Sequence, residues 1–251
     1  MTTPLLIEEA EDRVVLRLNR PEAKNAIDQE VVDLLHAACA ELERSPRVAL
    51  IAGSDGVFAA GADIGQLRER RRDDALRGIN SGIFDRIRQL PMPTIGLVDG
   101  YALGGGAELA YACDFRIGTP RVKLGNPEAG LGILAAAGAT WRLKDLVGEP
   151  LAKELLLTGR LLDAHEALGV RLLNEVVEPD ELDAAGQRWA DRIAQQAPLA
   201  VRLAKSVFHA PREAHPLIDD VAQAVLFETA DKHHRMTAFL ERRTGSTKEK
   251  K

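Results

Sequence analysis

Apolar residues change their spacing several times along the first 130 residues of the chain. Two β-prone runs, 5–9 and 14–18, flank a short acidic turn, and this pattern predicts a hairpin. From Asp28, a predicted N-cap, apolar residues recur at helical spacing until Pro46 ends the pattern. The chain therefore begins with two strands followed by a helix.

The same order of elements returns twice. The later rounds are predicted as strands 48–52, 94–98, 115–118 and 122–125, with helices through 83–90 and over 104–112. Strands that alternate with helices in this way indicate an α/β layered core.

The strand signal weakens beyond about residue 140. Only residues 172–177 are predicted to be extended, and the remaining segments favour helices. Two helices are predicted to begin at Asp163 and Asp180, and two further ones cover 198–208 and 217–243. We therefore expect residues 1–195 to form the core and residues 196–251 to form a helical region. That region either packs on a neighbouring subunit or forms a lid on its own.

Composition and charge narrow the class of protein. The chain has 251 residues, of which 45% are hydrophobic and 28% charged, as in ordinary globular proteins. Its net charge of −5 argues against a nucleic-acid partner. No apolar run is long enough for a bilayer crossing, and no signal peptide is visible at the start. Cys39 and Cys113 lack a second thiol or histidine at ligand spacing. These features predict a cytoplasmic enzyme without a metal centre or a membrane partner.

Two turns rich in glycine and alanine, 58–64 and 99–109, each follow a predicted strand and precede a predicted helix. The backbone N–H groups of a first helical turn are unpaired and favour negative charge. If the two turns converge, Ala62 and Gly105 each supply one N–H to a developing oxyanion. The alternative is that residues 104–106 merely permit a tight turn and close packing. Neither turn matches a P-loop or the dinucleotide-binding fingerprint.

Two glutamates accompany these turns. Glu108 lies three residues after Gly105, which places it on the same helical face as the predicted hole. Glu128 follows Pro127 at the point where an extended run ends. Two carboxyls with different surroundings can divide acid and base work, whereas each alone is also typical of an exposed glutamate at a helix start.

Four motifs in order along the chain carry a resemblance to a known family. They are Arg17-Leu18-Asn19-Arg20-Pro21, Phe58 to Ile64, Asp99 to Leu109, and Asn126-Pro127-Glu128. Together they resemble the enoyl-CoA hydratase/isomerase, or crotonase, superfamily, and the resemblance extends over essentially the whole chain. It implies an α/β spiral of repeated ββα units with a C-terminal all-helical region, assembled as a homotrimer or homohexamer.

The resemblance also implies a reaction. Ala62 and Gly105 correspond to the oxyanion-hole donors to a thioester carbonyl, and Glu108 and Glu128 to the two catalytic glutamates of hydratases. Glu108 then activates water for attack at C3 of a trans-2-enoyl-CoA, while Glu128 handles the proton at C2, as in fatty-acid β-oxidation. No cofactor is implied, because CoA is part of the substrate.

Further positions are implied to contact CoA. They are Ala60, Asp63 and Ile64 near the adenine, and Ala23 and Lys24 in the loop after Arg20. The arginine-rich run 68–72 is either a contact for the 3′-phosphate of CoA or a solvated face.

One departure from the family pattern concerns the segment after Glu128. Residues 133–141 replace a turn rich in proline and glycine, and they add methyl groups and the indole of Trp141. The backbone N–H groups remain, but we expect a reshaped acyl pocket. The alternative activities are an enoyl-CoA isomerase, another CoA-thioester lyase or hydrolase, a non-catalytic acyl-CoA- or RNA-binding protein, and a nucleotide-binding domain.

Overall fold

A computed structural model describes residues 3–248 of the chain, with side chains through residue 242. Its main sheet has six strands in the order β1-β2-β3-β4-β6-β9, and a second sheet has three in the order β5-β7-β8. The strands are β1 (Leu5–Glu9), β2 (Arg13–Leu18), β3 (Val48–Ala52), β4 (Thr94–Val98), β5 (Tyr101–Leu103), β6 (Phe115–Gly118), β7 (Lys123–Gly125), β8 (Leu162–Asp163) and β9 (Glu175–Val176). Only the β1–β2 and β7–β8 pairs are antiparallel.

The described residues up to Arg192 form one compact unit, and those from Ile193 form a second. The helices are α1 (Gln29–Arg44), α2 (Ile64–Glu69), α3 (Arg72–Leu76), α4 (Ile79–Arg88), α5 (Gly105–Ala112), α6 (Ala139–Val147), α7 (Glu149–Thr158), α8 (Ala164–Gly169), α9 (Leu182–Ala194), α10 (Pro198–Phe208), α11 (Leu217–Phe227) and α12 (Ala230–Lys248). Residues 249–251 of the predicted C-terminal region lie outside the described part. No helix described here is long and apolar enough to cross a membrane.

The predicted hairpin, the first helix and the central strands are confirmed. The Asp28 carboxylate accepts the Val31 N–H at 2.9 Å and so caps α1. Strands β3 and β4 are buried along their whole length, which explains why their sequences are nearly continuous apolar runs. They form the centre of the main sheet and lead into the two glycine-rich turns.

Two sequence predictions are wrong in detail. The predicted helix over 217–243 is broken between Phe227 and Ala230, because the Thr229 hydroxyl accepts the Lys232 N–H and starts a new helix. Of the predicted strand 172–177, only β9 pairs with the sheet. The N–H groups of residues 172 and 173 instead donate to the Ala167 carbonyl, at 2.8 and 3.0 Å.

Candidate active site

The two glycine-rich turns lie side by side. Ala59 in the first turn donates its N–H to the Tyr101 carbonyl at 3.0 Å and accepts the Leu103 N–H at 3.1 Å. These bonds pair the first turn with β5 of the second sheet, which leads into α5. The structure thus brings together the two turns in which the sequence predicts the oxyanion donors.

Glycine is required where α5 meets the first turn. A Cβ on Gly106 would lie 2.1 Å from the Ala59 carbonyl oxygen, far inside any normal contact. Gly104 has a φ of 51° and a ψ of −121°, a backbone conformation that favours glycine. The triple glycine therefore serves close packing, and this packing also positions the start of α5 against Ala62.

The N–H groups of Ala62 and Gly105 are close together and unpaired. The Ala62 nitrogen lies 3.2 Å from the position that a Cβ on Gly105 would take. Ile27 bonds to the residues on either side of Ala62, and Gly105 is the first residue of α5, so neither N–H donates a hydrogen bond within residues 3–248. Two unpaired donors at a helix N-terminus can stabilise a carbonyl oxygen that becomes negative.

Glu108 is buried one turn into α5, with 3% of its surface exposed. Its Oε1 accepts the N–H groups of Ala137 and Ala139 at 2.7 and 3.0 Å. Burial raises the pKa of Glu108 to about 7; the Glu128 charge adds to this rise, and the two N–H groups and Arg142 oppose it. The carboxyl is thus fixed in place and titrates near neutral pH.

The two alanine N–H groups belong to the segment that departs from the family pattern. The sequence shows that backbone donors remain there, and the structure identifies Glu108 as their acceptor. Trp141 is 42% exposed and stacks on the guanidinium of Arg142, whose Cζ lies 4.3 Å from the ring centroid. The indole therefore packs against the segment whose N–H groups donate to Glu108.

Arg142 is a site residue that sequence reasoning missed. Its side chain is 4% exposed and pairs with Asp85 of α4 at 3.0 Å. It also donates to the Ala137 carbonyl at 3.4 Å, on the residue whose N–H holds Glu108. The sequence gives no signal for this role, because burial is not visible in it and the partner on α4 is 57 residues away.

Glu128 lies in a short 3₁₀ helix, Pro127–Leu131, that follows β7. Its Oε1 accepts the Asn126 side-chain amide at 3.3 Å, and the Tyr111 hydroxyl holds the other end of that amide at 3.1 Å. Its Oε2 is buried and has no hydrogen-bond partner among the described residues. Burial raises the pKa of Glu128.

Glu128 also lies beside the oxyanion turn. A Cβ on Gly104 would come within 3.0 Å of Glu128 Oε1. The two glutamates therefore flank the start of α5, where the free N–H groups of Ala62 and Gly105 are found. This arrangement can hold a carbonyl, activate a water and transfer a second proton.

The residues predicted to contact CoA lie around the first turn. The Ala60 N–H donates to the Lys24 carbonyl at 3.0 Å, so the loop containing Ala23 and Lys24 lies against the 60–64 segment. Asp63 caps α2 by accepting the Gln66 N–H at 3.1 Å, and this bond lowers the pKa of Asp63. Ile64 is 59% exposed.

His233 and His234 do not form part of a larger ligand set. Within the described residues, no group of three or more His, Cys, Asp or Glu side chains is arranged to hold a metal ion. Cys39 and Cys113 are buried and form no disulfide within the described residues, and the Cys113 thiol donates to the Leu109 carbonyl at 3.5 Å.

Comparison with known proteins places the chain in a family. The model of the enoyl-CoA hydratase/isomerase family matches residues 9–250. A crotonyl-CoA hydratase of Syntrophomonas wolfei is 38% identical over 96% of both chains, and a short-chain-enoyl-CoA hydratase of Clostridium acetobutylicum is 36% identical over 95% of both.

Solved structures agree on the fold. The crystal structure of an enoyl-CoA hydratase from Bacillus anthracis superimposes with a TM-score of 0.90 at 30% identity, covering 95% of this chain and 96% of that one. The crotonase-like architecture predicted from the sequence is thereby confirmed. The chain belongs to the enoyl-CoA hydratase/isomerase family.

Proposed function

We propose that this protein is an enoyl-CoA hydratase that adds water across the 2,3-double bond of a trans-2-enoyl-CoA to give a 3-hydroxyacyl-CoA. The observation that carries the proposal is the placement of two buried carboxyls, Glu108 and Glu128, on either side of two unpaired N–H groups. The hydratase names of its relatives support the same reaction.

The N–H groups of Ala62 and Gly105 bind the thioester carbonyl oxygen. They stabilise the enolate that forms when C3 is attacked, and removing one such donor typically costs about 2.7–4 kcal/mol of transition-state stabilisation. Withdrawal of electrons toward the carbonyl makes C3 electrophilic. The substrate's double bond thus becomes open to attack by water.

Glu108 accepts a proton from the water molecule as the water oxygen forms a bond to C3. Glu128 delivers a proton to C2 as the enolate collapses to the thioester, so one water is added and the proton count balances. A base works best when its pKa lies near the operating pH, and the pKa of Glu108, raised to about 7 by burial, meets this condition. The unpartnered Oε2 of Glu128 is available to exchange a proton with C2.

The proposal extends to the surroundings of the site. Ala23, Lys24, Ala60, Asp63 and Ile64 contact CoA, and no cofactor beyond the substrate takes part. The reaction belongs to fatty-acid β-oxidation in the cytoplasm.

The second unit provides the contacts of a homotrimer or homohexamer in this proposal. Its support is the number of large apolar side chains that are exposed on α10–α12. Among them are Phe208 at 82%, Leu217 at 71% and Leu240 at 59% exposure.

The test is product analysis. The purified protein is mixed with crotonyl-CoA, the absorbance of the conjugated thioester is followed, and the product is identified by mass spectrometry. Loss of absorbance with formation of 3-hydroxybutyryl-CoA is expected. A shifted double bond in longer substrates, release of free CoA, or binding without turnover contradicts the proposal.

A further inference from the structure

Arg70 differs from the neighbouring arginines of its segment. Arg68, Arg72 and Arg77 are 71–86% exposed, and each pairs with an acidic residue close in sequence. Arg70 is half-buried and forms no ion pair within the part of the chain that the structure describes. Its Nη1 donates instead to the side-chain oxygen of Asn80 at 3.1 Å. A partly desolvated cation without a counter-charge calls for an anionic partner.

The bond to Arg70 fixes the orientation of the Asn80 amide. A guanidinium has only donors, so the amide oxygen of Asn80 faces Arg70 and the NH₂ group faces away. This nitrogen lies 3.7 Å from the point that a Cβ on Gly105 would occupy, and the Ala62 nitrogen lies 3.2 Å from the same point. The Asn80 NH₂ group donates no hydrogen bond within residues 3–248 and stands beside the proposed oxyanion hole.

Open space adjoins Arg70. Arg70 lines a cavity of about 410 Å³ together with acidic and basic side chains of α2 and α3. Glu69 pairs with Arg68, and Asp74 pairs with Arg77. Arg70 is therefore the charged residue of this lining that has no opposite charge. The cavity has room for several carbon atoms and a polar group at their end.

We propose that Asn80 and Arg70 recognise an anionic acceptor on the acyl group, and that the preferred substrate is an enoyl-CoA whose acyl chain ends in a carboxylate. This inference rests on the proposed function, because the thioester carbonyl at Ala62 and Gly105 sets where the acyl chain begins. A chain that leaves the hole past Asn80 meets first a neutral donor and then an uncompensated cation.

The free-energy cost of burying donors without an acceptor favours a carboxylated acyl chain over a plain hydrocarbon chain. An apolar acyl group would cover the Asn80 NH₂ group and Arg70 without offering an acceptor, and unsatisfied buried donors are costly. Sites built to hydrogen-bond a substrate group reject analogues that lack the group far more strongly than apolar pockets reject an extra methylene.

The same anionic chemistry also occurs in the phosphates of CoA. The position of Asn80 favours the acyl source, because its amide lies at the thioester end of the substrate, whereas the phosphates lie beyond the pantetheine arm. The two sources differ in a measurable way. A phosphate contact affects every CoA ester equally, and a carboxylate contact affects only the substrates that carry one.

The experiment compares two substrates of equal length, hex-2-enoyl-CoA and the mono-CoA ester of hex-2-enedioic acid, in which a carboxylate replaces the terminal methyl group. The enzyme, Asn80→Leu, Arg70→Met and the control Arg44→Met are assayed with both. The control removes an exposed arginine of α1 that pairs with Glu41 and does not line the cavity.

We expect the enzyme to favour the carboxylated substrate in kcat/KM by at least about tenfold, and Asn80→Leu and Arg70→Met each to lower this ratio by about tenfold or more. Arg44→Met should leave the ratio within about twofold, as is usual for surface sites. Calorimetric binding of adipoyl-CoA and hexanoyl-CoA, the saturated counterparts, should show the same order without turnover. Circular dichroism checks that the variants fold.

An equal or greater kcat/KM for hex-2-enoyl-CoA overturns the inference but leaves the proposed function intact. An equal rise in KM for both substrates in Arg70→Met assigns the arginine to a CoA phosphate and also overturns it. Absence of hydration with both substrates, together with a different product, refutes the proposed function itself. In that case only the calorimetric preference for adipoyl-CoA supports recognition of the carboxylate.

Discussion

Two glutamates flank the start of α5, but their surroundings differ. Glu108 is held through one oxygen by two backbone N–H groups, and a buried arginine stands behind the segment that supplies them. Glu128 has one side-chain amide at 3.3 Å on one oxygen, and its other oxygen has no partner among the described residues. Both carboxyls are buried, so burial raises both pKa values.

This difference in hydrogen-bond partners indicates how one site can assign two proton transfers to two carboxyls. Backbone donors fix the position of Glu108 and partly offset its desolvation, which suits a group that must orient a water molecule. The second carboxylate oxygen of Glu128 has no hydrogen-bond partner among the described residues, which suits a group that exchanges a proton with carbon.

The largest effect is expected from replacing either carboxyl. Glu108→Gln and Glu128→Gln should each reduce hydration of crotonyl-CoA by roughly 100-fold or more, since each removes an acid/base group while keeping its shape. The roles separate in a second assay, the exchange of the C2 hydrogens of butyryl-CoA with D₂O. Exchange should be lost in Glu128→Gln and retained in Glu108→Gln.

Glutamine keeps the acceptor oxygen to which Ala137 and Ala139 donate at position 108 and the one to which Asn126 donates at position 128, so both proteins should unfold near the temperature of the parent. Near-full hydration by either variant would remove that glutamate from the mechanism. Equal loss of exchange in both variants would show that the two carboxyls act as a unit.

A smaller effect is expected from a change that disturbs both carboxyls together. Gly106→Ala would place a methyl group 2.1 Å from the Ala59 carbonyl oxygen, so α5 must move away from the first turn. We expect a loss of about 1–3 kcal/mol of stability and a drop in kcat greater than the rise in KM. Urea unfolding and steady-state kinetics measure the two effects.

Gly82→Ala in α4 is the matched control, because nothing lies within 4 Å of its added Cβ. Alanine in a helix interior should instead stabilise the protein slightly, by about 0.5–1 kcal/mol. Unchanged activity in Gly106→Ala would show that the close contact of the two turns does not position the site.

The pH dependence of kcat/KM tests whether Arg142 lowers the pKa of Glu108. Hydration requires the ionised base, so kcat/KM should fall as the pH drops below about 7, the pKa to which burial raises Glu108. The positive charge of Arg142 favours the ionised form and lowers this pKa. Arg142→Met should therefore move the acid limb to higher pH, with a several-fold loss at pH 7 that is recovered near pH 9.

Arg142→Lys keeps the charge and should leave the acid limb closer to its original position. Arg88→Met removes the second cation over the Trp141 ring, 5.5 Å from its centroid, but touches neither Ala137 nor Glu108. An acid limb that stays in place in Arg142→Met would show that the arginine supports only the fold of this segment.

Much of this geometry is local, and the sequence predicts it well. The Asp28 cap, the buried strands β3 and β4 and the turn at Gly104 depend on neighbouring residues and on the glycine pattern. The break at Thr229 was missed because a single side-chain cap competes with an otherwise continuous helical spacing.

Long-range contacts explain what could not be predicted at the site. The sequence shows that residues 137–139 each have a backbone N–H group, but it does not show that Ala137 and Ala139 donate theirs to Glu108. Arg142 meets Asp85 across 57 positions, and Asn80 reaches Gly105 across a change of element. The run 68–72 is rich in arginine, but Arg70 is less exposed than the others because its guanidinium contacts Asn80 of α4, and the sequence does not show this contact.

The smallest effect is expected behind Glu128. Tyr111 is buried, and its hydroxyl donates to the Asn126 oxygen whose amide nitrogen holds Glu128 Oε1. Tyr111→Phe leaves that oxygen unsatisfied and the amide free to rotate, which should cost about 1 kcal/mol of stability.

Because the bond from Asn126 favours the ionised form of Glu128, its loss should raise the pKa of that carboxyl further. C2 exchange in butyryl-CoA should then change two- to threefold while the acid limb set by Glu108 stays in place, since a few tenths of a kcal/mol correspond to such a factor. A shift of that limb would show that the two carboxyls share one hydrogen-bond network rather than two separate supports.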